Sequence, residues 1–389
     1  MNEILLMLLI GICGSIIGGI IVWFLYERLN DWKERFFSKP YVAILVSRDV
    51  ERDFNIPKDL RDGIDEKIQE RGIGLFFRSK GKNVAIHFED DHLDKTISSE
   101  IIQKLIEDEN CILLIANANS TLTNSNINEL LNAKKKIPLI MPIATDYSII
   151  EKTNENNYKG ILRMMPDNDK QAELIQRFIS DKLQIKGHNV AIFGDDKNNL
   201  YSENMLDNIA NRLRTTGNFV IDKIIGKSLP APNELDNVVA VIYAGIPPRA
   251  LSLQDDLQRL LKIGQNKIPL IMTDGCLGSS TFRPIQSVNS YILSPINFEG
   301  LSNKSGSYKP VGNDTYELCA KILSMSKPTR KSVYETIEKG RGSRDENKNY
   351  NIKSVSGKSY KFNADGNNEG WGYSVYPIKD GGLDEKIFE

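Results

Sequence analysis

The chain has 389 residues, 50 of them Lys or Arg and 51 Asp or Glu, for a formal net charge of −1. An apolar fraction of 40% and a charged fraction of 26% are those of a globular protein, and the length suffices for two ordinary domains. Balanced charge excludes the basic footprint of a nucleic-acid binder. The dispersed Cys13, Cys111, Cys276 and Cys319 have no paired metal spacing and read as free, buried thiols.

No charged residue occurs from Ile4 to Tyr26, and Trp23 and Tyr26 stand near the far end. Such a run crosses the ~30 Å hydrocarbon core as a helix with aromatic residues at the interface, so residues 4–26 are expected to be a single transmembrane anchor. A cleaved signal peptide would carry a basic start, whereas this chain begins Met1-Asn2-Glu3. A lipoprotein signal at Cys13 would need a small residue where Ile12 stands. Gly14 and Gly18 have the GxxxG spacing of a helix–helix dimer, although glycine is also simply common in membrane helices. Arg28, Lys33, Arg35 and Lys39 follow the segment and no Lys or Arg precedes it, which by the positive-inside rule points to the cytoplasm for the rest of the chain.

The remainder alternates strand and helix. Residues 41–46 read as a strand, 57–70 as a helix with Pro57 at its start, and 84–88 as a second strand ending in Glu89-Asp90-Asp91. Helix 98–108, strand 111–116 and helix 126–135 follow, then the polar stretch 151–159. The alternation restarts with helix 171–183, strand 190–194, helix 205–215, strands 219–225 and 238–243, and helix 251–263. Helices 314–324 and 332–339, a charged loop over 340–351, and a strand-like pair at 360–362 and 373–376 complete the chain.

One six-residue sequence occurs twice, as Lys136-Ile137-Pro138-Leu139-Ile140-Met141 and as Lys267-Ile268-Pro269-Leu270-Ile271-Met272. Unalternating apolar runs of this length suit strands buried on both faces of a parallel sheet. Residues just past them lie at carboxyl strand ends, where open α/β sheets bind ligands. Two copies predict two similar lobes sharing a cleft, each built from right-handed βαβ units.

The ordered landmarks resemble the type I periplasmic binding proteins, in the leucine/isoleucine/valine-binding branch, over roughly residues 41–383. They are the acidic turn Glu89-Asp90-Asp91, the turn Asn119-Ser120-Thr121, Ile137-Pro138-Leu139-Ile140 with Pro142 and Ala144-Thr145, Leu162-Arg163-Met164-Met165-Pro166-Asp167, and Phe362-Asn363-Ala364-Asp365-Gly366 with Tyr373 and Lys379-Asp380-Gly381-Gly382. The resemblance implies an α/β fold of two Rossmann-like lobes with parallel central sheets, joined by a three-strand hinge. Crossovers are then expected at 163–167, 294–298 and 362–366. Residues 1–39 would be anchor and juxtamembrane segment, 40–163 and 295–362 the first lobe, 164–294 the second lobe, and 363–389 a tail on the second lobe.

The family holds a ligand carboxylate at positions matching Ser120 and Thr145, within the turns Asn119-Ser120-Thr121 and Ala144-Thr145. Backbone N–H groups and hydroxyls at such ends suit an anion, while the same hydroxyls suit helix caps. Asp274 matches the family's acidic partner for the ligand ammonium and is equally an ordinary turn residue in Thr-Asp-Gly. Tyr201 and Tyr243 match aromatic ligand contacts and serve equally as core or surface tyrosines. The chain departs from the family at Ala116-Asn117-Ala118-Asn119 and at Gly245-Ile246-Pro247-Pro248, so pocket shape and ligand are expected to differ.

These readings imply a membrane-anchored protein capturing an amino acid or similar small molecule, as the binding component of an ABC transporter or as a receptor. The alternative is a cytoplasmic-facing ligand sensor or scaffold acting through a signalling partner. A transporter's binding component needs the opposite side from the one to which the positive-inside rule points, and the orientation stays open. No cofactor or metal is expected. No Walker A sequence, nucleophile elbow or metal-ligand cluster is present, and Asp90 and Asp91, adjacent on one strand, point to opposite faces, so no enzyme is expected.

Overall fold

The computed structural model describes residues 39–47, 56–71, 76–79, 82–116, 120–195, 199–225, 237–245, 268–277, 289–298, 307–343, 350, 352, 354, 360–379 and 382–389. The expected anchor with Gly14 and Gly18, the helix at 251–263 and Asn119 lie outside them. Among the described residues no helix is long and apolar enough to cross a membrane.

Residues 41–389 contain two mostly parallel sheets. The first is built from β1 (Tyr41–Val46), β2 (Phe76–Ser79), β3 (Lys82–Asp90), β4 (Cys111–Ile115), β5 (Leu139–Met141) and β6 (Ile161–Arg163), in the order β2-β3-β1-β4-β5-β6. Every residue of β1 and of β4 is buried, which explains their unalternating apolar sequences. Four helices connect these strands: α1 (Ile56–Arg71), α2 (Lys95–Glu107), α3 (Ser120–Asn132) and α4 (Tyr147–Glu155).

The chain then enters α5 (Asn168–Arg177), whose last turn widens into a π-helical turn at Phe178–Lys182. The second sheet comprises β7 (Asn189–Asp195), β8 (Phe219–Ile225), β9 (Val238–Ala244), β10 (Leu270–Met272), β11 (Ser290–Ser294), β12 (Ser374–Lys379) and β13 (Gly382–Leu383). Their order is β13-β12-β11-β10-β9-β7-β8, with α6 (Asn199–Thr215) between β7 and β8.

The five parallel strands of each sheet follow one plan. β3-β1-β4-β5-β6 and β8-β7-β9-β10-β11 are both the order 2-1-3-4-5 of a doubly wound sheet, with its switch point between the first and third strands. The two copies of the repeated hexapeptide are the fourth strand of each and make matching bonds. Leu114 N–H donates to the Pro138 carbonyl and Val241 N–H to that of Pro269, both at 2.9 Å. Only Leu-Ile-Met is strand in either copy.

After β11 the chain returns to the first sheet. There α7 (Lys309–Met325) packs on α1, and α8 (Arg330–Gly340) packs on β4. Gly63 and Gly312 permit the α1–α7 approach: a Cβ on Gly63 would stand 2.2 Å from the Lys309 carbonyl oxygen, and one on Gly312 2.2 Å from that of Leu60. Arg330, buried, donates from Nε to the Cys111 carbonyl (2.9 Å) and from its Nη atoms to those of Ile106 (2.8 Å) and Leu105 (2.9 Å). It thereby satisfies the open carbonyls at the end of α2. At the crossover after β6, Arg163 N–H donates to the Gly366 carbonyl (2.8 Å) and Asn368 N–H to that of Arg163 (3.1 Å).

Several expectations need correction. The central strands of both sheets are parallel as expected, but β2, β12 and β13 add antiparallel pairs at the margins. α3 begins six residues before the expected 126, because Leu122, Thr123, Asn126, Ile127 and Leu130 form one buried stripe through a polar stretch. The stretch at 151–159 is largely the end of α4, whose N-cap Asp146 accepts from Ser148 N–H (2.9 Å). Residues 360–362 and 373–376 do not pair: Phe362 bridges only to Asn368, while β12 extends the second sheet beside β11. Tyr360 and Phe362 are instead buried near Trp371, its ring centroid 4.8 Å from that of Tyr360. Cys111, Cys276 and Cys319 are buried thiols outside any disulfide, as expected.

Candidate functional site

Site residues were expected at the carboxyl ends of strands in both sheets, and the described ones stand there. In the first lobe Ser120 opens α3 after β4, and Ala144 and Thr145 follow β5, the neighbouring strand. Ser120 is 5% exposed and Thr145 3%. Neither hydroxyl has a hydrogen-bond partner among the described residues, and neither oxygen is among the fully enclosed unpaired atoms, so both reach open space. Neither hydroxyl caps a helix: Asp146 caps α4, and the Thr145 carbonyl accepts from Asn168 N–H (3.1 Å) and Arg163 Nη1 (3.3 Å). Thr121 lies in the first turn of α3, half-buried, and Ala144 is buried. α3 packs against α6, the helix between β7 and β8 of the second sheet.

In the second lobe the expected residues are turned inward. Asp274, just past β10, is 2% exposed. Its Oδ1 accepts from Gln171 Nε2 (2.8 Å) and from the Tyr201 hydroxyl (2.6 Å). Its Oδ2 accepts from the Tyr373 hydroxyl at 3.4 Å. The Asp274 N–H donates back to Gln171 Oε1 (3.0 Å), closing a two-bond clasp between this residue and one amide. The Tyr308 hydroxyl, from the segment entering α7, donates to the Asp274 carbonyl (3.1 Å). Burial raises the Asp274 carboxyl above the usual carboxylate range, and the donors from Tyr201, Gln171 and Tyr373 offset only part of that.

Tyr201 is buried with its hydroxyl spent on Asp274, and that hydroxyl is held far above the usual tyrosine range, first by burial and then by the adjacent carboxylate. Tyr243 is also buried, donating to Asp195 Oδ2 (2.7 Å). The structure therefore brings Tyr201 and Asp274 together but keeps Tyr243 with Asp195 instead.

Sequence reasoning missed Gln171, Tyr308 and Tyr373 as partners of Asp274. Gln171 carried a faint signal: it shares the apolar face of α5 with Ala172, Leu174 and Ile175, where an unpartnered amide would be costly. Arg163, fully buried at the crossover, donates to the Asp146 carbonyl (3.0 Å) and pairs with Asp167 (3.2 Å). Burial lowers its guanidinium from the ordinary range and Asp167 restores part of the shift. Among the described residues no group of three or more His, Cys, Asp or Glu is placed to hold a metal ion. A depression of about 650 Å³ lined by Met325, Lys327, Ser332 and Thr336 lies elsewhere. Arg330, beside it in α8, reaches the carbonyl of Cys111, the first residue of β4, which sets it at the amino edge of the sheet.

No protein-family profile and no curated protein sequence matches the chain. Solved structures do match in fold. A leucine-binding protein from Thermotoga maritima aligns with a TM-score of 0.71 and 16% identity, covering 90% of this chain and 97% of its own. A branched-chain amino acid transporter substrate-binding protein from Streptococcus pneumoniae, in complex with isoleucine, gives 0.69 and 15%, with 90% and 99% covered. A solute-binding protein of an ABC transporter from Rhodopseudomonas palustris, in complex with benzoate, gives 0.67 and 14%, with 90% and 96% covered. The two sheets, whose five parallel strands share one order, the crossovers between them and these neighbours give the described residues of 41–389 the fold of the type I periplasmic binding proteins.

Proposed function

We propose that the chain is a membrane-anchored ligand-binding protein that closes two lobes on a small carboxylate, as the capture component of an ABC transporter or as a receptor. The observation that carries this reading is the pair Ser120 and Thr145, two unpartnered hydroxyls at neighbouring strand ends, one of them on the N-terminal turn of α3. Backbone N–H groups and hydroxyls in that arrangement suit an anion. Fold neighbours captured with isoleucine and with benzoate hold ligands whose common group is a carboxylate. Residues 40–163 and 295–362 form the first lobe in this reading, residues 164–294 and 363–389 the second, and residues 4–26 the anchor.

The test is thermal unfolding of the full-length chain against amino acids and amine-free carboxylates. A ligand of the folded state raises the melting temperature progressively above its dissociation constant. A panel without any such rise contradicts the proposal.

The basic flank Arg28, Lys33, Arg35 and Lys39 favours a second reading, a sensor whose lobes lie in the cytoplasm and act through a partner. A cysteine introduced at Phe219, 67% exposed, discriminates the two: an impermeant maleimide labels it in spheroplasts only when the lobes lie outside.

A further inference from the structure

We propose that Gln171 occupies the amine position of the cleft and that the ligand is a carboxylate without an amino group. This rests on the carboxylate-binding reading above. Asp274, just past β10, is the residue that by the resemblance would meet a ligand ammonium, yet it is 2% exposed and both its carboxylate oxygens accept from protein donors. Gln171 offers it the two things an ammonium would need to displace. Its Nε2 donates to Oδ1 at 2.8 Å, and its Oε1 accepts the Asp274 N–H at 3.0 Å. Tyr201 takes the same Oδ1 at 2.6 Å, and Tyr373 reaches Oδ2 at 3.4 Å.

The clasp is held from both sides. Gln171 is fully buried on α5, the helix whose N-cap Asp167 accepts from Lys170 N–H (3.0 Å). Asp274 is held from the other direction by Tyr308, whose hydroxyl donates to its carbonyl. An incoming ammonium would have to break two bonds of Gln171 and strand a buried amide, at the cost of unsatisfied donor and acceptor groups.

The two lobes thus differ in what they offer. The first presents the unpartnered hydroxyls of Ser120 and Thr145, while Tyr201, Tyr243 and Asp274 in the second are spent within the protein. A ligand with a carboxylate and an uncharged remainder meets both conditions. An α-amino acid meets only the first and leaves its ammonium unpaired.

Matched ligands test this on the full-length chain by calorimetric titration: leucine against 4-methylpentanoate, its amine-free counterpart, and phenylglycine against phenylacetate. The wild-type protein is expected to bind an amine-free member at least about tenfold more tightly than its amino acid, since an unpaired buried charge costs more than the ~1.4 kcal/mol that a tenfold ratio represents. Gln171→Ala, which vacates the amide, is expected to shrink that ratio toward one, while Gln171→Met, which keeps the volume without the polar atoms, is expected to leave it largely in place. An amino acid bound by the wild type as tightly as its counterpart overturns the amine exclusion and leaves the carboxylate reading standing. Absence of binding by every member of both pairs overturns both. A ratio unchanged in both variants removes Gln171 from the explanation and sinks the proposal.

Discussion

Replacing Asp274 by alanine removes the acceptor that three buried donors share. Gln171 Nε2 and the Tyr201 hydroxyl, at 2.8 and 2.6 Å, have no other acceptor among the bonds described above. The Tyr373 hydroxyl keeps the Pro166 carbonyl at 3.1 Å. Two orphaned donors at about 1–3 kcal/mol each, less the relief of removing a buried charge, give a net loss of about 3 kcal/mol. Asp274→Asn retains an oxygen where Oδ1 stands and should cost only about 1 kcal/mol. Urea unfolding at neutral pH, followed by circular dichroism, measures both. A ligand-contact role predicts the opposite pattern, in which the alanine variant loses binding with its stability intact. An Asp274→Ala variant within about 0.5 kcal/mol of the wild type would refute the assignment of Asp274 as an internal node.

Three further outcomes are expected. Asp274→Asn should gain stability relative to the wild type as pH rises from about 4, the unfolded carboxylate value, through the raised folded value. The folded carboxyl is raised by burial, so below the unfolded value its protonated form contributes fully, and that contribution is lost as pH climbs through the folded value. Urea midpoints of the pair at pH 4.5 and 7.5 read the difference directly, and a gap that does not change sinks the argument. Gly63→Ala should cost about 3 kcal/mol, because its Cβ would meet the Lys309 carbonyl oxygen at 2.2 Å and force α1 from α7; an unchanged urea midpoint contradicts this. Arg330→Met should cost about 3 kcal/mol by orphaning carbonyls at the end of α2, and Arg330→Lys should restore less than half, because an ammonium lacks the planar fork that reaches the carbonyls of Leu105, Ile106, Asp108 and Cys111 at once.

The fold was legible wherever burial alone dictates the sequence. β1, β4 and both copies of Leu-Ile-Met are buried throughout, and their apolar runs announce this without help from partners. The helix starts were less legible. Ser120 to Asn126 reads as a turn by composition, and only the burial of Leu122, Thr123 and Ile127 on one face makes it helical. The β12 pairing was illegible because its partner β11 lies far earlier in the chain, and register across such a separation leaves no local mark. Within the candidate site, strand ends follow from the alternation of elements, so the positions of Ser120, Thr145 and Asp274 could be read. The direction of the Asp274 carboxylate could not. It is decided by Gln171, 103 positions earlier, and by Tyr373, 99 positions later.

The two unpartnered hydroxyls of Ser120 and Thr145 carry the proposed function, and one measurement addresses them directly. Calorimetric titration of the full-length protein with its best carboxylate from the thermal panel should be repeated on Ser120→Ala combined with Thr145→Val. The expected result is binding weakened at least about tenfold, with the ligand-free unfolding midpoint unchanged, because hydroxyls without protein partners contribute to the complex and not to the fold. Binding that survives the double substitution undiminished would contradict the account.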